Sequence, residues 1–482
     1  MSPSDGLDAG EWPEVRAQAH RMLDDMLDYL ANIRNQPVWQ PMDAAARARL
    51  RIDLPRSATS LAQVHDDFLR QVLPYAVGNV HPGFMGWVHG GGTVVGMLAE
   101  MLAGGLNANC GGRDHSAIEV EHQITAWMRE IFGFPEGTSG LFVTGTSMAN
   151  FVAILVARQV LLGAGVRHEG LATSSSRLVA YTSVAAHTCI ARAMDYAGLG
   201  DQALRRIRVD ANHRIDLTAL AEAIARDRAA GFLPLAVIGN AGTVDIGAID
   251  DLAALADIAA SENLWFHVDG AFGALGMLVP EIAPRLAGIE RADSLALDFH
   301  KWGQVPYDAG FILVRDGVAH RAAFATTAGY LQRDTRGLAA GTSWPHDFGP
   351  DLSRGFRALK TWFTLRVYGT EQLGMSIGRT CSVARHLAAR VAREPRLELL
   401  APVQLNIVCF GYRGPNPDAL NAAIVVDTQE SGVAVPSTSR IDGRLAIRAA
   451  IVNHRTRESD VDLLVDAVLH HGDLRTGTVA AS

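Results

Sequence analysis

Four stretches of this 482-residue chain place reactive side chains just after short apolar runs. Lys301 follows Ser294-Leu295-Ala296-Leu297-Asp298 and sits in the run His300-Lys301-Trp302-Gly303. A lysine at the end of a buried strand is poorly hydrated, so its amine is easily held neutral and nucleophilic, as condensation with an aldehyde requires. Asp269 closes a second such run, Leu264-Trp265-Phe266-His267-Val268-Asp269. A carboxylate there can pair with a protonated ring nitrogen and keep the ring a strong electron sink. Thr146 and Ser147 follow Leu141-Phe142-Val143 and open a helix-like stretch, where hydroxyls and free N–H groups can cradle a phosphate dianion. His187 follows Leu178 to Ser183, placed to stack on a ring or move a proton. Each residue alone has an ordinary structural reading, as a cap, a core histidine or a snorkelling lysine. The four together point to pyridoxal 5'-phosphate, which unites an aldehyde, a ring nitrogen and a phosphate.

The elements that must position these residues follow from the pattern around them. Residues from roughly 85 to 370 alternate β-rich runs, such as Leu235 to Ile238 and Phe311 to Val314, with helical stretches. That alternation implies a mainly parallel sheet with helices on both faces, and ligands collect at the carboxyl ends of such strands. Before it, Val15, Ala19, Met22, Met26 and Tyr29 recur at steps of four and three and form one apolar helical stripe. A lone helical arm cannot bury that face, so docking on a second copy of the chain is expected. From about 375 onward, helical stretches such as Ala384 to Val391 mix with apolar strands such as Leu405 to Phe410, as in a small α+β domain. The expected division is 1–84, an N-terminal helical dimerisation segment; 85–374, a large α/β domain; and 375–482, the small domain.

Composition narrows the class. The chain is 48% hydrophobic, enough for one large core and a smaller one, and its formal charge of −8 argues against nucleic acid or an anionic membrane as partner. The four cysteines, Cys110, Cys189, Cys381 and Cys409, have no metal-ligand or disulfide-framework spacing, so no metal is expected. No signal pattern opens the sequence and no apolar run reaches bilayer length, so a cytoplasmic location is expected.

These residues resemble the group II PLP-dependent decarboxylases, the family of the aromatic-L-amino-acid, histidine and glutamate decarboxylases. The resemblance runs through His81-Pro82-Gly83-Phe84, Gly145 to Asn150, His187, Asn240-Ala241-Gly242-Thr243, His267-Val268-Asp269, Asp298 to Trp302, Phe356 to Trp362 and Asn453-His454-Arg455-Thr456. It implies the fold type I (aspartate aminotransferase-like) architecture and a homodimer. It also implies that Lys301 carries the cofactor, Asp269 meets the ring nitrogen and His187 stacks on the ring. Thr146 and Ser147 would hold the phosphate, joined by His300 and Asp298, with Asn240 near the ring.

The implied reaction is decarboxylation of an L-amino acid to the amine and CO2, an aromatic amino acid being the leading expectation. Trp87, His89, Gly90 and Asn109 are the expected substrate contacts, combining an aromatic wall with small and polar positions. Family members commonly carry a tyrosine on a loop after the lysine that protonates the substrate carbon. The stretch Leu331 to Pro350 has none, and His346 stands near that place as the expected acid. His187 and Lys301 are the other proton donors considered. If none acts, reaction with O2 would give an aldehyde instead. Transamination, aldol cleavage and a non-catalytic binding role are the remaining alternatives.

Overall fold

The computed structural model describes residues 7, 11–171, 177–326 and 333–477. Its central sheet has seven strands: β1 (Ser139–Val143), β2 (Arg177–Ser183), β3 (Leu204–Ile207), β4 (Phe232–Asn240), β5 (Trp265–Asp269), β6 (Ser294–Asp298) and β7 (Gly310–Val314). They lie in the order β1-β7-β6-β5-β4-β2-β3, and β7 alone runs antiparallel to its neighbours. The strands are short, and the central ones are mainly buried and apolar because both faces are covered, as in parallel sheets generally. Phe142, Val237, Phe266, Leu295 and Phe311 enter one core with the helices Ser116–Phe132, Leu217–Ala229 and Leu252–Glu262. Ala180, Ile238, Ala296 and Ile312, on the opposite face, meet the helices Thr146–Leu162 and Cys189–Tyr196. The helix Thr146–Leu162, here α1, carries Ala149, Val152, Ala153 and Val156 fully into that layer.

A second, antiparallel sheet of four strands follows: β8 (Leu397–Leu399), β9 (Ile407–Tyr412), β10 (Ser437–Ile441) and β11 (Arg444–Ala450). Its core, with Val408, Phe410, Ile447 and Ala449, packs under the helices Pro417–Glu430 and Glu458–Thr476. The long helix Arg357–Arg393 reaches both sheets' cores and is broken at Gly369, whose φ of +69° suits glycine. The sequence places a boundary at 374/375, which falls inside this helix just past the break. The strand expected over Leu405 to Phe410 runs instead from Ile407 to Tyr412.

The N-terminal helix Trp12–Ala31 contains the expected apolar stripe but has no buried residue, and Trp12 and Met22 stand exposed. Among the described residues, no helix is long and apolar enough to cross a membrane.

Candidate active site

The carboxyl ends of β1, β2, β4, β5 and β6 open on one cavity of about 420 Å³, lined by Thr146, Ser147, His187, Asn240, Asp269, Asp298, His300 and Lys301. Strand β6 ends at Asp298, so Lys301 lies one turn beyond it. In that turn Lys301 Nζ sits 2.7 Å from Asp298 Oδ2. Burial alone would lower the amine's pKa, but Asp298 and Asp269 together oppose it and hold the pKa above its ordinary value. The sequence-based picture of an amine neutralised by burial is therefore corrected: without a cofactor Lys301 is an ammonium. Asp298, despite burial, is held below the usual carboxylate range by Lys301 and His300. Its other oxygen accepts the Thr146 N–H at 2.7 Å, which commits the first helix donor of α1. His300 Nδ1 accepts the Ala309 N–H at 3.1 Å, which leaves its Nε2–H turned toward Asp298, 3.7 Å away.

Asp269 ends β5 fully enclosed, and burial pushes its carboxyl up while Lys301 and the Ala271 N–H oppose that. Its Oδ1 accepts from Ala271 N at 3.1 Å, and its Oδ2 from Asn150 Nδ2 at 3.1 Å. The Cys189 thiol, raised by burial and so protonated, stands 3.8 Å from the same Oδ2. His187 borders the cavity, its Nδ1 accepting the Cys189 N–H at 3.2 Å. Burial lowers its pKa, so it is mostly neutral near pH 7, and its Nε2–H has no partner among the described residues. Asn240 is held by Asp250, to which its side chain and backbone donate at 2.9 and 2.8 Å.

At the start of α1, Thr146 Oγ1 is buried and has no hydrogen-bond partner among the described residues. A buried hydroxyl without a partner is costly, and a ligand oxygen is what it lacks. Ser147 beside it faces the cavity. The backbone of this turn lies so close to β7 that a Cβ on Gly310 would come within 2.3 Å of Gly145.

The expected substrate contacts divide. Trp87 and His89 line the cavity, stacked 6.0 Å apart between ring centroids. Gly90 and Asn109 do not. A Cβ on Gly90 would lie 2.4 Å from the His300 carbonyl, so that glycine makes room for the lysine turn rather than for a substrate. Asn109 Oδ1 accepts the N–H groups of Gly111 and Arg354 and so ties a loop. His346 is also outside the cavity, buried with Nδ1 2.7 Å from the Gly111 carbonyl oxygen. Of the segment that holds it, Leu331 and Gln332 lie outside the described residues.

Sequence reasoning missed several residues that line the cavity. Tyr307 packs against His300, the rings tilted by 35° with centroids 4.2 Å apart. Arg448, almost fully buried, donates to the carbonyls of Trp87, Val244 and Asp245 and to Ser437 Oγ, joining the outer wall to the small domain's sheet. Asp245 and Ser439 are hydrogen-bonded at the rim. Burial of an arginine within an apolar strand, as in Leu445-Ala446-Ile447-Arg448, was the available signal for one of them.

A buried lysine, a strand-end carboxylate and an unpartnered hydroxyl at a helix start define the class: an enzyme built around a phosphorylated pyridine aldehyde, which these residues fit. Residues 44–413 match the model of the pyridoxal-dependent decarboxylase conserved domain, and the chain belongs to that family. It is 31% identical to an aromatic-L-amino-acid decarboxylase of Bacillus atrophaeus, over 93% of each chain. It is 32% identical to an L-2,4-diaminobutyrate decarboxylase of Rhizobium meliloti, over 86% of this chain and 83% of the relative. A crystal structure titled Oryza sativa TDC with PLP and tryptamine superposes with a TM-score of 0.90 at 23% identity, covering 98% of this chain and 100% of that one. The chain is thus a PLP-dependent amino-acid decarboxylase, a carboxy-lyase, of fold type I.

Proposed function

We propose that the chain decarboxylates an aromatic L-amino acid to its amine, and that the residues of the cavity take the following parts. Bound there, pyridoxal 5'-phosphate supplies an aldehyde to Lys301 and a cationic ring that accepts the electron pair of the Cα–carboxylate bond. Thr146, Ser147 and His300 hold the phosphate, and Asp298 orders the turn that carries Lys301. Asp269 keeps the ring nitrogen protonated, Asn240 borders the ring, and His187 lies over it. The observation that carries the substrate assignment is that Trp87, His89 and Tyr307, in ring contact with one another, line the same cavity as Lys301. Flat apolar side chains stack on such a wall.

A second reading, an amino acid with a cationic side chain, is favoured by Asp245 at the rim. The same carboxylate disfavours an acidic substrate. The proton delivered to Cα comes from His187, Lys301 or Tyr307, all of which border the cavity, whereas His346 does not. Aldehyde formation would follow only if none of them acts before O2 does.

We also propose that the chain is a homodimer through its first helix, none of whose twenty residues is fully buried in one subunit. A cytoplasmic location is consistent with the lack of a spanning helix among the described residues. The test is a panel of L-amino acids with CO2, amine, aldehyde and H2O2 measured together. Tryptophan, tyrosine or phenylalanine turning over fastest, with amine as product, supports the proposal. Preference for 2,4-diaminobutyrate or another basic amino acid replaces the substrate assignment, and aldehyde with H2O2 replaces the product.

A further inference from the structure

We propose that Asp269 is aimed at its ligand by a one-way chain of hydrogen bonds that starts at Trp265 and runs through Ser294, His267 and Asn150. The inference rests on the reading of Asp269 as partner of the ring nitrogen, and makes the four other residues positioning residues.

The chain follows from strand geometry. Trp265, His267 and Asp269 alternate along β5 and so share one face, the face covered by α1, which supplies Asn150. Ser294 sits opposite His267 in the β5–β6 register. Trp265 Nε1 lies 2.8 Å from Ser294 Oγ, Ser294 Oγ 2.8 Å from His267 Nδ1, His267 Nε2 2.7 Å from Asn150 Oδ1, and Asn150 Nδ2 3.1 Å from Asp269 Oδ2.

The direction is set at both ends. An indole N–H only donates, so Ser294 Oγ accepts from it, and the serine's one hydrogen is then free to go to His267 Nδ1. That puts the imidazole proton on Nε2, which donates to the amide oxygen of Asn150. The amide nitrogen then faces Asp269 Oδ2, which accepts from it. Reversing the chain would set Asn150 Oδ1 against the carboxylate and push the Ser294 hydroxyl hydrogen out of the chain. Ser294, His267 and Asn150 are wholly inaccessible, so no water can substitute for a missing link. Burial of His267, which lowers its pKa to about 3, agrees with a neutral link. Every link is therefore uncharged: the chain gives Asp269 a fixed donor and adds no cation of its own.

The experiment uses the holoenzyme with 15N-labelled histidine. The spectrum should show His267 protonated at Nε2 alone from pH 8 down to pH 5. Ser294→Ala should move the tautomer, lower kcat about tenfold, a magnitude typical of an outer-layer hydrogen bond that orients a charged ligand, and change KM for the substrate less than threefold. It should also weaken cofactor binding to the apoprotein and shift the pH at which the bound cofactor's visible band titrates. Ser294→Thr, which keeps the hydroxyl, should restore all four. A His267 found charged or protonated at Nδ1 in the wild-type protein overturns the chain, and that reading needs no variant to fold. A Ser294→Ala enzyme that is folded with unchanged kcat and band titration overturns it as well. If the tautomer is as stated but Asp269→Ala keeps full activity, the chain stands and the reading of Asp269 is what fails.

Discussion

Asp269 is the residue on which the electronic account turns. Its enclosure raises the cost of its charge, and that cost is met when a ring N–H faces it. Asp269→Ala should therefore lower turnover on the order of a hundredfold or more in protein that still folds and binds cofactor, a magnitude typical of losing one preorganised electrostatic partner. Steady-state kinetics on cofactor-loaded variant reads this directly, and near-normal turnover would remove Asp269 from the mechanism. Tyr307 carries the second residue-scale prediction. Its side chain is 48% exposed and its hydroxyl has no partner among the described residues; partial desolvation and then the charge of Asp298 raise its pKa, so it keeps its proton at neutral pH. Tyr307→Phe should slow amine formation about a hundredfold, in the range for loss of a general acid, with a smaller effect on KM. Aldehyde should then appear in air. His346→Ala, by contrast, removes a buried contact to the Gly111 carbonyl and should cost stability more than turnover. Amine formation that depends on His346 and not on Tyr307 would restore the reading made from the sequence.

At the scale of elements, the N-terminal helix Trp12–Ala31 is the piece that one subunit leaves unfinished. Its stripe through Val15, Met26 and Tyr29 is only half-buried, and Met22 is exposed. Deleting residues up to Arg34 should expose the surface this stripe covers and lower assembly or solubility. Sedimentation of the truncated and full chains decides the point, and a full chain that is monomeric and active at working concentration would contradict it. The strands that end at the site were legible in sequence because each is a short, mainly apolar run that stops at a polar residue, as at Asp269 and Asp298. What escaped was whatever depends on distant segments meeting. Arg448 reaches the cavity from the second sheet, and Tyr307 reaches it because the turn after Lys301 folds back over His300. Gly90 was misread for the same reason: a glycine that admits a substrate and one that admits the lysine turn look alike until the two segments are placed together. His346 was assigned by its distance along the chain from Lys301, and the packing of Trp344 and Asp347 turned it elsewhere.

For the whole molecule, buried neutral histidines tie stability to pH. His267 and His320 are inaccessible, and burial lowers both from 6.5 to about 3. The folded chain leaves them uncharged while the unfolded chain protonates them below about pH 6.5, so the unfolded state binds more protons between those values. Stability is thus full above pH 6.5 and falls as the pH drops toward 3, by about 1.4 kcal/mol per pH unit for each histidine. The urea midpoint of the apoprotein should decline steadily from pH 6.5 to 4.5, and His320→Gln should flatten that slope even if it lowers the midpoint. A midpoint independent of pH across this range would contradict the burial of these two rings.

The central claim is that this decarboxylase carries its cofactor on Lys301, and the sequence makes that unusually simple to test. The chain has two lysines, Lys301 and Lys360, and Lys360 is buried in an ion pair with Glu100. Borohydride reduction of the active holoenzyme, digestion and peptide mapping should find the pyridoxyl group on the Lys301 peptide alone, with none on protein bearing Lys301→Ala. A pyridoxyl group on Lys360 or on the N-terminal amine, with Lys301 unmodified in active enzyme, would contradict the account.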